Sequence, residues 1–476
     1  MKPLALFDLD GTLRDTYHFQ YPQADQVIIF DGVPERLNAI RNLGYLLVGI
    51  TNQGGVALGV ISNDQVIAAN DRTQALLGSA ALDSVQYCPH HRDRDKFDCD
   101  CKKPSLGMVL DALTALPEAT LDGAFVVGDS KADQGVAEAL SLPFLDAVKF
   151  RTMTMPQITD WLAAISPRAG AKPDMDKVQG CLVGLAAGDA LGAPLEFQSR
   201  AAVRKQYPTE LREFKSSRLW SAGEYTDDTQ MALIIANSLV DQHKLDPAAI
   251  ACGFQHWAHS AKDVGLQTRA VLHMNGITEK PEVRAREYYR SHPDSSAGNG
   301  ALMRCAPVAL FHLSSRPMLI ADSRRSARVT HADPKAQSSC VLLNLWIAFA
   351  ILTGVKDARS EALQQLPPAE QMTWKRLMKI ESLTESEISS AGYTVHTLEA
   401  AAWSFLTTST FEDAVARAAN LGDDADTVAA VTGALAGAYY GYESIPLQWR
   451  SGLLHEPEIK KLAVRLAQRT TPAVAR

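Results

Sequence analysis

The chain has 476 residues, of which 46% are hydrophobic and 21% charged, with a formal net charge of -7. That length exceeds one ordinary core, so two domains are expected, and the composition excludes a disordered chain. The acidic balance excludes an overall basic field for nucleic acid or anionic membranes but leaves room for a local basic groove.

The opening MKPLALFDLDGT lacks the long apolar run and cleavage site of a signal peptide, because Asp8 would fall inside it. The longest apolar run, Leu345 to Leu352, is too short to span a bilayer and reads as a buried helix. A cytoplasmic protein without a membrane partner is therefore expected. Seven cysteines, an odd number with Cys181, Cys252, Cys305 and Cys340 scattered in apolar contexts, do not make a disulfide framework.

Residues 1–165 alternate β-rich runs with helical patterns. In order they are the strand LALFDL, a helix around Pro34 to Leu43, the strand YLLVGIT, a helix after Ser62, a helix from Leu106 to Leu116, and the strand GAFVVGDS. That alternation predicts a Rossmann-like parallel α/β sheet with its ligand at the carboxyl ends of the strands. Residues 166–176, containing SPRAGAKPD, have linker composition. Across residues 177–476 apolar residues recur at helical spacing, predicting an all-α domain. Its first helix carries Gly184, Gly188 and Gly192 four residues apart, a smooth face on which another backbone can approach closely.

The first candidate site lies in the α/β half. Asp8 and Asp10 of DLDGT follow the first strand, and Gly11 permits a turn that brings both carboxylates to one ligand. A turn capped by aspartates would read the same from DxDG alone. Three further signals favour a site: Thr51 after the second strand with Asn52 beside it, Lys103 preceded by Lys102, and Asp129 and Asp133 of GDSKAD after the last strand. Carboxylates, a hydroxyl and a lysine around one crevice suggest phosphoryl transfer assisted by Mg²⁺.

These four signatures, in this order, resemble the haloacid dehalogenase superfamily of phosphatases. The resemblance implies that Asp8 attacks phosphorus, Asp10 acts as acid and then base, and Thr51 and Lys103 bind the phosphoryl oxygens. The metal candidates are Asp8, Asp10, Asp129 and Asp133, while Asn52 and Lys102 are candidates for substrate binding. The short intervals between signatures leave no room for a large cap domain, so a bulky substrate, including a polymer end, could enter.

Between these signatures lies CPHHRDRDKFDCDCKKP, where Cys88, His90, Cys99 and Cys101 form a tetrahedral Cys₃His set suited to structural Zn²⁺. The spacing resembles the branch containing D,D-heptose bisphosphate and histidinol-phosphate phosphatases. A closed four-ligand site would fold the loop and aim Lys103, two residues beyond Cys101. Lys102 stands where the heptose enzyme has an arginine, and lysine lacks the planar bidentate contact. The heptose substrate therefore does not follow from the resemblance.

The helical half carries GDALGAPLE, YTDDTQ, GNGALMR and GDDADT. Thr226, Asp227 and Asp228, like Asp424, Asp426 and Thr427, precede helical patterns and could act only as caps. Together they supply two clusters of hard oxygen ligands, enough for a pair of Mg²⁺ or Mn²⁺ ions. The motifs resemble the ADP-ribosylglycohydrolase family. The resemblance implies a two-metal centre on those six residues, with Glu196 a mobile acid that handles water. It also implies a Gly298, Asn299, Gly300 and Arg304 loop that approaches ADP-ribose. His331 is either a ligand contact or a structural histidine.

The expected function is a bifunctional hydrolase, a phosphomonoesterase joined to an ADP-ribosyl hydrolase. Its substrates would be ADP-ribosylated and phosphorylated small molecules, proteins or nucleic-acid ends, and the two sites could act in sequence on phosphate-linked ADP-ribose. The alternatives are a sugar-phosphate phosphatase fused to an independent protein de-ADP-ribosylating domain, and an ADP-ribose-binding module without turnover. The sequence leaves the oligomeric state open.

Overall fold

A computed structural model describes residues 1–15, 21–91, 94–95, 99–165, 172–273 and 280–468. The chain divides into two compact units, Met1–Ala169 and Gly170–Arg476. Residues 166–171 of the expected linker lie outside the described residues, and its last two, Met175 and Asp176, already open a helix capped by Asp174.

In the first unit the apolar run KPLALF forms β1 (Lys2–Phe7), buried where it enters the sheet centre. A two-residue ribbon follows, β2 (Arg14–Asp15) with β3 (Ile28–Ile29). Then come α1 (Val33–Asn42), β4 (Leu46–Asn52), α2 (Asn63–Leu77), β5 (Ser84–Cys88), α3 (Gly107–Ala115), β6 (Ala119–Gly128), α4 (Lys131–Ala139) and β7 (Phe144–Asp146). Helices α5 (Ala147–Thr152) and α6 (Met155–Ala164) close the unit. The main sheet is parallel, in the order β5-β4-β1-β6-β7. Central β1 and its neighbours β4 and β6 therefore point their carboxyl ends at one crevice. Among the described residues, only the small ribbon and a short 3₁₀ turn at Ala24–Gln26 intervene between β1 and α1, with no inserted cap domain.

The expected strands and helices are present with shifts of a few residues. Strands β5 and β7 add to the expected set; β7 has only three residues, while β5 carries the polar-apolar alternation of a half-buried edge strand.

The second unit is helical; among its described residues the sole β pairing is an isolated bridge between Gly298 and Tyr393. The Met175–Gly192 helix packs directly on the Ala425–Tyr440 helix. A Cβ at Gly180, Gly184 or Gly188 would overlap the carbonyl of Gly437, Gly433 or Ala429, so only glycine allows this backbone contact. The approach brings Gly192 against Asp426, placing the end of one helix beside the start of the other. The helix Pro334–Thr353 is long and apolar enough to cross a membrane, but 83% of its apolar window is buried inside the unit.

Two candidate hydrolytic centres

In the first unit Asp8 follows β1, Thr51 lies at the end of β4, Asp129 follows β6 and Asp133 stands in the first turn of α4. Lys103 joins them from the loop after β5. Its Nζ donates to Asp8 Oδ1 at 2.5 Å, to Asp133 Oδ1 at 2.6 Å and to the Ile50 carbonyl at 2.8 Å. Asp133 is fixed from its other side, where Oδ2 accepts from the Ser130 amide and hydroxyl in a capping box. Burial pushes Asp8 up to about 7; Lys103 opposes that rise, while the Asp133 and Asp10 charges add to it. Burial also works against the charge on Lys103, but Asp8 and Asp133 outweigh it and hold its pKa above the ordinary value.

Asp8, Asp129 and Asp133 offer carboxylate oxygens within 4.8 Å of one another, a set suited to a hard divalent cation. The Asp10 side chain lies outside this group. Its Oδ1 accepts from Arg14 Nε at 2.8 Å, and its Oδ2 accepts from Gln53 Nε2 at 2.6 Å and Thr51 Oγ1 at 3.2 Å. The Asn52 side chain exchanges two hydrogen bonds with the Lys103 backbone, at 2.9 and 3.2 Å, and so positions the lysine. Lys102 is half-buried beside it.

Arg14, Gln53 and Arg151 were not singled out in the sequence. Arg14 is fully buried and bonded through Nη1 to Ala69, Asn70 and Thr73 of α2. Arg151 donates to the Gly11 carbonyl and stacks on Phe30, 4.2 Å from the ring centre. Arg14 follows Asp10 by four residues and Gln53 follows Thr51 by two, so proximity along the chain was the available signal; Arg151 had none.

The cysteine loop gathers Cys88, His90, Cys99 and Cys101 into one cluster. Cys99 Sγ lies 2.8 Å from Cys101 Sγ and 3.0 Å from His90 Nδ1, and Cys88 Sγ lies 3.1 Å from Cys101 Sγ. Four soft donors converging in this way match the donor set of structural Zn²⁺. His91 stays outside the cluster, its amide donating to Asp95 Oδ2. The loop is tied to the site at both ends, through the Gln53 amide on the Cys88 carbonyl and the Gly107 amide on the Asp100 carbonyl.

In the second unit Thr226 caps the Asp227–Gln242 helix, and Asp426 and Thr427 stand in the first turn of the Ala425–Tyr440 helix. Thr427 Oγ1 reaches Asp228 Oδ1 at 3.4 Å, joining the two motifs. Glu196, Asp424 and Asp426 place oxygens within 4.8 Å of one another. Glu196 thus belongs to a potential ligand group, while Asp227 and Asp228 stand beside it.

Asp189, quoted within GDALGAPLE but given no role, lies at the centre. It accepts from the Thr226 and Thr229 amides and from Thr229 Oγ1 at 2.6 Å. Among the described residues no lysine, arginine or histidine makes an ion pair with Asp189, Glu196, Asp227, Asp228, Asp424 or Asp426. Burial, compounded by neighbouring carboxylates, raises Glu196 to about 8 and Asp227 to about 7, and puts Asp228 and Asp426 well above the usual range. Asp228 Oδ2 is buried without a hydrogen-bond partner. An acidic cluster with a buried orphan oxygen and no cation of its own suits divalent metal ions.

Residues 171–474 match the family described as ADP-ribosylglycohydrolase. The chain belongs to that family. Its ADP-ribosylglycohydrolase unit is 34% identical to the ADP-ribosylarginine hydrolase Tri1 of Serratia proteamaculans (strain 568) over 64% of this chain and 83% of that one. It is 32% identical to the ADP-ribosyl-[dinitrogen reductase] glycohydrolase of Rhodospirillum rubrum over 58% of this chain and 90% of the relative. A solved ADP-ribosylglycohydrolase-related protein complex matches at 32% identity and a TM-score of 0.50, covering 62% of this chain and 99% of its own. Residues 3–151 match the family described as polynucleotide kinase 3 phosphatase. That part is 37% identical to the D-glycero-beta-D-manno-heptose-1,7-bisphosphate 7-phosphatase of Pasteurella multocida (strain Pm70) over 28% of this chain and 74% of the relative. The protein is thus a hydrolase that fuses a haloacid-dehalogenase-type phosphatase domain to an ADP-ribosylglycohydrolase domain.

Within the ADP-ribosylglycohydrolase unit, the Gly298–Gly300 loop meets the acids through Asn299, whose Nδ2 donates to Asp424 Oδ2 at 2.6 Å. Arg304 does not belong to that approach. It is fully buried, with Nη2 on Thr330 Oγ1 at 2.6 Å and its guanidinium over Phe254 at 4.5 Å, so the helical core holds it. His331 is buried next to it, and a Cβ on Gly300 would press on its ring at 3.0 Å. Burial and the Arg304 charge lower His331 to about 3, leaving it neutral and in a supporting position behind the loop. Asp263, absent from the sequence motifs, adds its charge to both Glu196 and Asp227.

Proposed function

We propose that the phosphatase unit cleaves phosphomonoesters through an aspartyl-phosphate on Asp8, and that the helical unit cleaves ADP-ribose from an acceptor. The phosphatase reading rests on Lys103 Nζ standing between Asp8 and Asp133 at the carboxyl ends of the strands. An oxygen of Asp8 attacks phosphorus while Asp10 gives a proton to the departing alcohol oxygen. Asp10 then takes a proton from water, whose oxygen attacks the phosphorus and returns the electron pair of the acyl-phosphate bond to Asp8. Lys103 offsets the charge on the transferring group, and the Thr51 hydroxyl turns from Asp10 to a phosphoryl oxygen. Asp8, Asp129 and Asp133 would hold Mg²⁺, which supplies Lewis-acid polarisation when bound. Cys88, His90, Cys99 and Cys101 would hold structural Zn²⁺.

In the helical unit, Thr226, Asp227, Asp228, Asp424, Asp426 and Thr427 would hold a pair of Mg²⁺ or Mn²⁺ ions, which supply oxygen-affine sites for ribose hydroxyls when bound. Glu196 takes a proton from the water that attacks the anomeric carbon as the bond to the acceptor breaks. The Gly298–Gly300 backbone approaches the diphosphate. The relatives named for ADP-ribosylarginine support an arginine nitrogen as the acceptor atom.

A second reading joins the two activities. The match of residues 3–151 to a polynucleotide phosphatase family and the lack of an inserted cap domain among the described residues favour a nucleic-acid end as phosphatase substrate. If ADP-ribose is linked to such a terminal phosphate, the helical unit would expose a phosphomonoester that the phosphatase removes. Mass spectrometry of products from an oligonucleotide ADP-ribosylated on its terminal phosphate, run beside an arginine-ADP-ribosylated peptide, separates the readings. Release of ADP-ribose and inorganic phosphate from the oligonucleotide supports coupled action. ADP-ribose from the peptide alone supports two independent activities.

A further inference from the structure

Two apolar side chains stand out against the usual burial rule. Among the described residues Leu266 is 86% exposed and Phe197 is 82% exposed, the highest values of any large apolar side chain. Single exposed apolar residues are ordinary. These two, however, lie on segments that carry acids of one centre: Phe197 follows Glu196 directly, and Leu266 follows Asp263 by three residues.

Phe197 also has a left-handed backbone, with φ +61°. Bulky residues rarely adopt that region, and it persists only where the surroundings impose it. Here the chain around Asp423 imposes it. The Phe197 amide donates to the Asp423 carbonyl at 2.7 Å, and the Asp423 amide donates back to the Gln198 carbonyl at 2.7 Å. Asp423 is left-handed as well, at φ +55°. Gly422 completes the clasp, since a Cβ there would come within 2.6 Å of the Gln198 carbonyl. The same clasp fixes Glu196 on one side and Asp424 on the other. The ring it presents adds almost nothing to the core, so burial does not offset the strain. Strained, solvent-facing positions of this kind cluster at ligand contacts.

We propose that Phe197 is the acceptor platform of the hydrolase centre, its exposed ring face receiving the planar cationic guanidinium that carries ADP-ribose. The proposal rests on the arginine reading given above and deepens it. An aromatic face attracts a cation through its ring quadrupole, and nearby carboxylates attract the same cation by charge. The acids next to Phe197 along the chain and across its clasp are Glu196, Asp423 and Asp424, and Asp263 adds its charge to Glu196. The two arginines that follow it in the chain are already engaged, while Lys205 lies eight residues on, at the end of the Arg200–Gln206 helix. Arg200 donates to the Leu421, Glu385 and Ile388 carbonyls, and Arg204 pairs with Glu385. An anionic acceptor would meet the carboxylates beside Phe197, with Arg200 and Arg204 already committed to other partners.

The test uses the full chain with Mn²⁺ and two substrates, ADP-ribosylarginine and ADP-ribose 1″-phosphate, which lacks a planar cation. In Phe197→Ala the ratio of kcat/KM for the arginine conjugate to that for the phosphate should fall at least tenfold, mainly through KM. Phe197→Trp should restore the ratio. Phe197→Gly should show the same loss without a lower Tm, since it relieves the backbone and removes no packing; a merely structural role would lower the Tm instead. An unchanged ratio overturns the platform. A parallel loss on both substrates with weaker inhibition by free ADP-ribose also overturns it, by assigning the ring to the ADP-ribose itself. Wild-type turnover of the phosphate with none of the arginine conjugate overturns the arginine reading and the platform together, and is seen before any substitution is made.

Discussion

In the metal-free protein, the stability of the helical unit should fall as pH rises. Asp227 moves from its ordinary 3.8 to about 7 on folding and Glu196 from 4.5 to about 8, in both cases chiefly through burial. A carboxyl group with a raised folded pKa keeps its proton in the fold after the unfolded chain has released it. Its contribution is fully present below the unfolded pKa and is lost as pH rises through the folded value. Between pH 5.5 and 6.5 both groups lie in that window, and each contributes a slope of about 1.4 kcal/mol per pH unit. The pair gives about 2.7 kcal/mol per unit. Spread over a unit of roughly 300 residues, with an unfolding entropy of about 2 cal/mol/K per residue, this lowers Tm by about 4 °C per pH unit.

The assay is differential scanning calorimetry of the full chain in EDTA. The relevant transition is the one whose slope becomes about 2 °C per unit shallower in Asp227→Asn. Saturating Mn²⁺ should abolish the fall, because cations favour the ionised carboxylates and bind more tightly as protons leave. A Tm independent of pH in EDTA would refute the argument from uncompensated buried carboxylates. So would a slope that Mn²⁺ leaves unchanged.

Asp8→Asn should abolish phosphate release while ADP-ribose release continues, read from both products in one incubation. Lys103→Met removes the cation between Asp8 and Asp133 and should slow phosphate release by about 10²- to 10³-fold. The residual rate should need a higher pH, since Asp8 then loses the partner that opposes its rise. Cys101→Ser should lower bound zinc, measured by elemental mass spectrometry, and slow the phosphatase at least tenfold through misplacement of Lys103. Gly188→Val would drive a side chain into the Ala429 carbonyl. It should destabilise the helical unit by more than about 3 kcal/mol, seen as lost ADP-ribose release and proteolysis of that unit alone.

The sequence was most informative where chemistry sits at the ends of regular elements. Asp8, Thr51 and Asp129 are reached by following β1, β4 and β6 to their carboxyl ends, and a parallel sheet aligns those ends for any loop sequence between them. Glycines four residues apart likewise foretold a backbone contact, and Gly184 and Gly188 make one. Side-chain direction was not legible. Arg304 stands within the glycine loop motif yet turns into the core, and Asn52 beside Thr51 bonds the Lys103 backbone. Neither direction follows from spacing, because each depends on a partner that folding brings from far along the chain. Asp189 and Asp263 escaped for the same reason: one is buried in a small-residue helix and the other lies in an unremarked loop, and both act through charges that meet only in three dimensions.

The two centres solve one electrostatic problem in opposite ways. Each gathers buried carboxylates, which would repel one another and resist ionisation if left alone. The phosphatase centre contains its own fixed cation: Lys103 is buried between Asp8 and Asp133, and its backbone is held by Asn52. Lys103 opposes the rise that burial imposes on Asp8, which still reaches about 7. The hydrolase centre has no such cation among the described residues, and Asp228 keeps an oxygen without a partner. Bound divalent ions would favour the ionised form of its acids, so proton affinity and metal affinity are linked there. It follows that acidification or chelation should silence ADP-ribose release without unfolding the site. Phosphate release should track the state of Lys103 and the cysteine loop that carries it.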